Sequence, residues 1–514
     1  MSSDRPADAR PPWAWVPTAA AFMAIVALQA SVVLGGYYLD SDDWFVVSMG
    51  QWTSQFGLWN GLGIFWTEEP TWRPLLTLLS HVEWELLGRE PIGRYAVNVA
   101  LHALSALMVF RWVSLRRPIV AGFACLLYLA HPLHAEALAW FHSGFEGILV
   151  SVFGMAVLLA QGAPSRRGYG ARRGAARVVL MLFFLQLGLW SRESAAAVVP
   201  VVALLAFVEG ERVGRLRRAL HDGVPLVALV LLNVGWRFVM LHLDVDHSPT
   251  GTFHMVESPM TAIAAVALQP WLPVHPGLAW REVYWAMTGI VSVFLLWSMG
   301  RRRDARLAFG AFALLVLPFV PMFHEAGRFF EAAGGGHEQR WYFFHLALAP
   351  LCVGAAFALE PGVGAGGPRA GWARRGVWAI VIGVFAATQL VNATWWRRES
   401  DVARGMAETL IEAAKSNPAE HLVVMSAEGS DAAELADQVL LNFGRIDPIG
   451  RGTRNVYRWK KMDGGWSKDA VAPGRLNLGK PSLFPHWRRS SIPRGGLWFS
   501  VDEAQRRLAP VPAP

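Results

Sequence analysis

Long apolar runs, most of them closed by short arginine clusters, recur between residues 15 and 394 of this chain. No other feature constrains the fold as strongly. About 20 apolar residues in a helix cross the hydrocarbon core of a bilayer. In lipid every backbone polar group must be paired within the protein, which leaves helices or closed barrels. The runs lack the period-2 alternation of barrel strands, so the expected fold is an all-α polytopic membrane bundle. Composition agrees: 54% of the 514 residues are hydrophobic and only 17% are charged, against roughly a quarter charged in soluble domains. The 25 tryptophans suit a protein with many membrane–water interfaces.

Eleven runs fall at 15–36, 92–110, 118–130, 138–160, 178–190, 194–208, 224–241, 283–300, 307–323, 341–359 and 377–393. With the N-terminus inside, the cytoplasmic loops carry 21 Lys and Arg against about 7 in the outer loops, as the positive-inside rule requires. An odd number of spans then places the C-terminus outside. The expected organisation is a cytoplasmic tail (1–14), a transmembrane domain (15–394) with a large first extracytoplasmic loop (37–91), and an extracytoplasmic C-terminal domain (395–514). The expected location is the inner (plasma) membrane.

Within the last unit, Glu399–Ala414 reads as an amphipathic helix, His421–Met425 as a short strand and Asp431–Leu441 as a second helix, so a small α/β domain is expected. The Pro-rich end after Leu508 reads as unstructured. The net charge of +8 does not point to nucleic acid, because the arginines lie in short loops and form no basic stripe with interleaved aromatics. Cys125 and Cys352 are the only cysteines and both sit in apolar runs, which leaves no disulfide framework and no thiol metal site.

Several polar groups stand out, all at the outer side of the expected topology. Asp40, Asp42 and Asp43 follow the first run. Three carboxylates in four residues serve as a general base, hold a divalent cation at Asp40 and Asp42, or form a solvated cap. His131, His134 and Glu136 close the third run, with His142 and Glu146 one helical turn apart soon after. These read as a partial metal set, as a structural network that caps helix ends, or as functional groups at membrane depth. Arg192 and Glu193 lie between two short runs, as an ion pair or half of a phosphate site. Arg237 near the end of the seventh run and Arg340 before the tenth suit phosphate, or snorkel to the headgroups. Arg73 stands in the first loop within Trp72-Arg73-Pro74-Leu75.

The order of these motifs resembles the GT-C superfamily of membrane glycosyltransferases, which use polyprenyl-phosphate sugars. The similarity is to the branch of the transmembrane tetratricopeptide-repeat O-mannosyltransferases and their bacterial relatives. It rests on Asp42 and Asp43, on Trp72 to Leu78 against YRPLxxLS, on Leu87 to Pro91, on Tyr95 to His102 against HxxNxxLH, and on His131 to Leu138 against HPxHxEAV. Glu338, Arg340 and Tyr342 are similar to a later element. Arg94-Tyr95 stands where that branch carries His, His142 to Glu146 replaces its usual text after HPxHxEA, and no tetratricopeptide repeats follow.

The resemblance implies an inverting transfer from a polyprenyl-phosphate sugar to a hydroxyl acceptor on the outer side. Asp43 or Asp42 would be the base. Arg192, Arg237 and Arg340 would hold the donor phosphate. Arg73, His131, His134, Glu136, His142, Glu146 and Glu193 would support the pocket. It leaves a divalent cation open as cofactor. The implied partners are the lipid-linked sugar, an acceptor and membrane lipids. Two other readings explain the outward-facing arginines: a flippase for lipid-linked sugars, and an inactive scaffold relative.

Overall fold

The computed structural model describes residues 16–38, 41–67, 73–88, 90–162, 171–209, 214–243, 269–271, 274, 278, 280–316, 344–360, 368–416, 421–427, 455–462, 465–466, 470–473, 487–490, 497–502, 505 and 507–512. Helix α1 (Val16–Val33) leads to three helices of the first loop, α2 (Ser41–Phe56), α3 (Leu58–Thr67) and α4 (Pro74–Leu87). The membrane domain continues with α5 (Pro91–Ser114), α6 (Ala121–Leu129), α7 (His134–Ala139), α8 (Phe141–Gly162) and α9 (Ala171–Ser191). A 3₁₀ turn (Glu193–Ala197) joins α9 to α10 (Val198–Glu209), followed by α11 (Arg215–Leu243), α12 (Arg281–Gly300), α13 (Arg303–Val316), α14 (Leu348–Ala358) and α15 (Pro368–Ser416).

Among the described residues seven helices are long and apolar enough to cross a membrane. Seven of the eleven expected runs fold as such helices, and the other four differ locally. The third run folds as α6, nine residues long, because Pro132 cannot continue a helix. The fourth starts after Trp140, which adopts extended backbone between α7 and α8, and is one of the seven. The tenth yields only the eleven-residue α14, and the ninth extends past the described residues. The sixth run becomes the 3₁₀ turn and α10. Every residue of α6 is buried, whereas α1 buries only Ile25, Gln29 and Val33. The short helix α6 and most of α8 therefore lie in the interior, whereas side chains such as Met23, Leu231 and Ile290 are exposed on α1, α11 and α12.

The end of α6 lies deep in the bundle, so its last carbonyls need partners other than water. Gln29 Nε2 donates to the Leu129 carbonyl at 2.8 Å and to Gln389 Oε1 at 2.9 Å. Gln389 Nε2 donates to the carbonyls of Leu129 (3.1 Å) and His131 (3.2 Å). Two glutamines, one from α1 and one from α15, thus close the central helix. In the first loop, α4 and α5 each begin at proline, whose fixed φ suits the first helical position. Gly88, at φ +59°, turns the chain between them.

Helix α15 runs unbroken through residue 395 to Ser416 and contains the amphipathic stretch expected at 399–414. Its Ala403, Met406, Ala407 and Leu410 recur at helical spacing and pack on Val424, Phe499 and Leu508 of a sheet. The strands are β1 (His421–Ala427), β2 (Asn455–Met462), β3 (Gly465–Trp466), β4 (Ala470–Pro473), β5 (Trp487–Ser490), β6 (Leu497–Asp502) and β7 (Arg507–Val511). Their order is β5-β4-β2-β1-β6-β7, with β3 beside β2. β1 pairs in parallel with β2 and β6, and the other pairs are antiparallel. The end of the chain corrects the sequence reading. β7 includes Leu508 to Val511 and pairs with β6. It is the last strand in the sheet order, an edge where proline is tolerated because one row of N–H groups needs no partner. The helix expected at Asp431–Leu441 lies outside the described residues.

Candidate active site in the first loop

Asp43 opens the first turns of α2 and is fully buried. Its electrostatic neighbours include Tyr38, just before α2, and Tyr95 on α5. Tyr95 Oη donates to the carbonyls of Tyr37 (2.9 Å) and Ala139 (3.0 Å), which ties the exit of α1 to the end of α7. Arg94, one residue earlier, donates to Glu83 Oε2 at 2.8 Å and to the Gly88 carbonyl at 2.9 Å. Its guanidinium also lies 5.6 Å from the Phe141 ring centroid. Burial holds the Tyr38 hydroxyl above its usual range, with Arg94 opposing the shift and Asp43 adding to it. Burial likewise pushes the Glu83 carboxyl up to about 7 against the pull of Arg94.

The first turns of α8 border this pocket and a second cluster. Phe141 packs against Tyr38 and Tyr95. Five residues on, Glu146 is buried and pairs with both Arg73 and Arg192. The Arg192–Glu146 separation is 2.9 Å, and Arg73 also reaches Glu193 at 3.3 Å. The adjacent Arg192 and Glu193 therefore pair crosswise with partners from α8 and the first loop. Glu193 is half exposed whereas Glu146 is enclosed. Two guanidiniums converge on one buried carboxylate, which holds both forks in place and balances only one of the two charges. The half-exposed Glu193 balances the other through its contact with Arg73. Planar forks of this kind match phosphate oxygens.

The other residues singled out in the sequence separate into three groups. His131, His134 and Glu136 are buried, on or next to α7. Asp42, His142 and Arg237 fall on described helices, and their side chains lie outside the described set. Asp40 and Arg340 lie outside the described residues. Sequence reasoning missed Tyr38, Glu83, Arg94 and Tyr95 as site neighbours. Arg94-Tyr95 carried a signal, since this pair replaces the histidine of the family text.

The fold is mostly helical with several membrane-length apolar helices, as expected from the sequence. It is shared with ArnT from Cupriavidus metallidurans bound to undecaprenyl phosphate. That match has a TM-score of 0.52 and 11% identity, over 88% of this chain and 94% of that one. The apo state of the same protein gives 0.50 at 12% identity, with the same coverage. An oligosaccharyltransferase from Archaeoglobus fulgidus, tethered with an acceptor peptide, gives 0.44 at 12% identity over 83% of this chain and 64% of that one. At these identities the likeness is one of fold. No protein-family model matches the chain, and no curated protein matches its sequence.

Proposed function

We propose that the chain is an inverting glycosyltransferase that moves a sugar from a polyprenyl-phosphate donor to a hydroxyl acceptor on the outer side of the membrane. The observation that carries this reading is a fully buried carboxylate, Asp43, next to Tyr38 and Tyr95, with Phe141 of α8 on those tyrosines and Glu146 of the same helix in the Arg73–Glu146–Arg192 cluster. The fold shared with a protein solved in complex with undecaprenyl phosphate supports it. In this mechanism Asp43 takes the proton of the acceptor hydroxyl. The oxygen attacks the anomeric carbon from the face opposite the phosphate. The bond from carbon to phosphate oxygen breaks, and the electron pair leaves on the lipid phosphate. Arg192, with Arg237 and Arg340 from the later spans and Arg73 from the first loop, stabilises the charge that develops there. Glu146 positions Arg73 and Arg192 for that task. Asp42 is the second candidate base, and Asp40 with Asp42 is where a divalent cation would sit.

We assign the chain to the neighbourhood of the O-mannosyltransferase branch on the text His131 to Ala137, with the C-terminal sheet in place of repeats. The N-terminus is cytoplasmic in this reading, and the sheet is extracytoplasmic. The test is incubation of the purified protein in lipid with a panel of polyprenyl-phosphate sugars and a hydroxyl acceptor, with sugar transfer followed by mass spectrometry. Turnover of one donor that disappears in Asp43→Asn is the expected result. Donor movement across the bilayer without cleavage would overturn the reading in favour of a flippase. Repeating the assay in EDTA reports on a cation.

A further inference from the structure

His102 on α5, His134 on α7 and His345 just before α14 come together in the buried centre of the bundle. Each offers a ring nitrogen, and these atoms all lie within 4.8 Å of one another. The ring centroids are 4.1 Å (134–345), 4.5 Å (102–134) and 5.1 Å (102–345) apart. The proposed transfer chemistry makes no use of this cluster.

The hydrogen bonds around the rings decide what it can hold. His102 Nε2 faces the Leu129 carbonyl at 3.2 Å, an acceptor only. The proton of His102 therefore sits on Nε2, and Nδ1 carries a lone pair. That lone pair faces His345 Nε2 at 3.2 Å. On its far side, His345 Nδ1 meets the Tyr128 hydroxyl at 2.9 Å, and the same hydroxyl reaches the His345 carbonyl at 3.1 Å. When Tyr128 gives its one proton to that carbonyl, Nδ1 is the nitrogen of His345 that donates, and Nε2 becomes a second lone pair aimed at the first. Ligating histidines commonly show this arrangement, with the outer nitrogen donated to a carbonyl or hydroxyl and the inner one turned to the ion.

A metal-free arrangement exists for this pair, in which Tyr128 donates to His345 Nδ1 and His345 Nε2–H donates to His102. It does nothing for His134. That ring is fully buried, and among the described residues neither of its nitrogens has a hydrogen-bond partner of ordinary geometry, although the Tyr128 carbonyl approaches the ring. Leaving both nitrogens of a buried imidazole unpaired is costly. A shared ion satisfies all three rings at once.

We propose that His102, His134 and His345 form a buried site for a borderline divalent transition ion, zinc first, which cross-links three segments of the bundle. Nitrogen–zinc bonds of about 2.0–2.1 Å at tetrahedral angles need nitrogens roughly 3.3 Å apart. The 3.2 Å pair already meets this, and a small swing of the His134 ring completes the triangle. Imidazole donors select zinc, copper, nickel or iron over magnesium and calcium, which prefer oxygen. The role is structural. It ties the turn after α6 to α5 and to the late segment entering α14, residues separated by up to 243 positions in the chain.

The experiment is metal analysis of the full-length protein in detergent, free of any affinity tag, after zinc loading and removal of loosely bound ions. About one zinc per chain is expected, with an absorption-edge fine structure showing nitrogen neighbours alone in the histidine shell. Cobalt substitution should give the visible bands of a low-symmetry site. His134→Ala and His345→Ala should each lower zinc to a small fraction of the parent value, whereas His221→Ala, on α11, should leave it unchanged. Folded, monodisperse parent protein that retains no transition metal would overturn the proposal whatever the variants do. So would undiminished zinc in folded His134→Ala, or a first shell dominated by oxygen or sulfur.

Discussion

Asp43 is enclosed by protein near Tyr38, at the exit of α1, and Tyr95 of α5. In the proposed role of base, Asp43 cannot be replaced by an amide, which has the shape but not the proton affinity. Asp43→Asn is expected to lower kcat by about 10²–10⁴-fold, the usual range for loss of a general base. Donor binding should survive, and a donor-binding assay on the same preparation checks this. Arg192→Gln should act differently, because it removes charge from the leaving-group side and leaves Glu146 with Arg73 alone. Its loss should appear in both donor affinity and turnover.

Glu83 offers a pH test of the same loop. Its carboxyl titrates near 7 in the fold, raised by burial and partly restrained by Arg94, against 4.5 when exposed. A carboxyl raised in this way favours the fold while protonated, so its stabilising contribution is complete below 4.5 and is lost as pH climbs to 7. The difference in melting temperature between Glu83→Gln and the parent should therefore move in the variant's favour from pH 4.5 to pH 7 and level off above.

At the scale of elements, packing of α2 on α4 holds the acid in place. Gly50 on α2 lies so close to α4 that an added methyl group would run into the Ser80 carbonyl and come within 2.8 Å of Trp84 Cβ. Backbone cannot yield as a side-chain tip can. Gly50→Ala is thus expected to destabilise by about 1–3 kcal/mol and to reduce turnover by parting α2 from α4. Gly383→Ala on α15 meets nothing within 4 Å, and should be neutral or gain up to about 1 kcal/mol from helix propensity. Thermal melts in detergent compare the two.

The elements also explain what could be read in advance. Apolar period and arginine placement reveal α1, α5, α11 and α12, because a spanning helix announces itself locally. They do not tell a spanning helix from a short buried one such as α6 or α14, since burial in protein and burial in lipid demand the same residues. β7 was hidden because Pro510 and the prolines after it argue for coil, and only pairing with β6 makes an edge strand of this segment. Arg73, Glu146 and Arg192 were each visible as polar groups at membrane depth. Their convergence was not, and neither was the meeting of His102 with His345, because contacts over such separations leave no periodic trace.

On the scale of the molecule, the first loop and the C-terminal sheet share one helix, α15. Ser400 Oγ donates to the Tyr37 carbonyl at 3.0 Å and accepts from the Tyr37 N–H. Arg404, one turn on, donates to the carbonyls of Gly35 (2.6 Å) and Gly36 (3.1 Å), with its guanidinium 5.6 Å from the Tyr37 ring centroid. Tyr37 also packs at the margin of the cluster in which Met406 and Leu410 meet the sheet. The segment bearing Tyr38 and leading to Asp43 is thereby strapped to a helix whose far end is held by strands β1, β6 and β7. Arg404→Ala removes hydrogen bonds from a charged donor, each worth about 1.5–3 kcal/mol, yet leaves the apolar contacts of α15 with the sheet intact. If the strap sets the height of the acid over the donor, kcat/KM should fall about tenfold or more. The melting temperature should fall in both Arg404→Ala and Ser400→Ala, since each loses two hydrogen bonds to the Gly35–Tyr37 segment. Equal losses of activity and stability across both variants would show that α15 supports the first loop only as scaffolding. A loss of activity confined to Arg404→Ala would make the position of the C-terminal sheet a determinant of the rate.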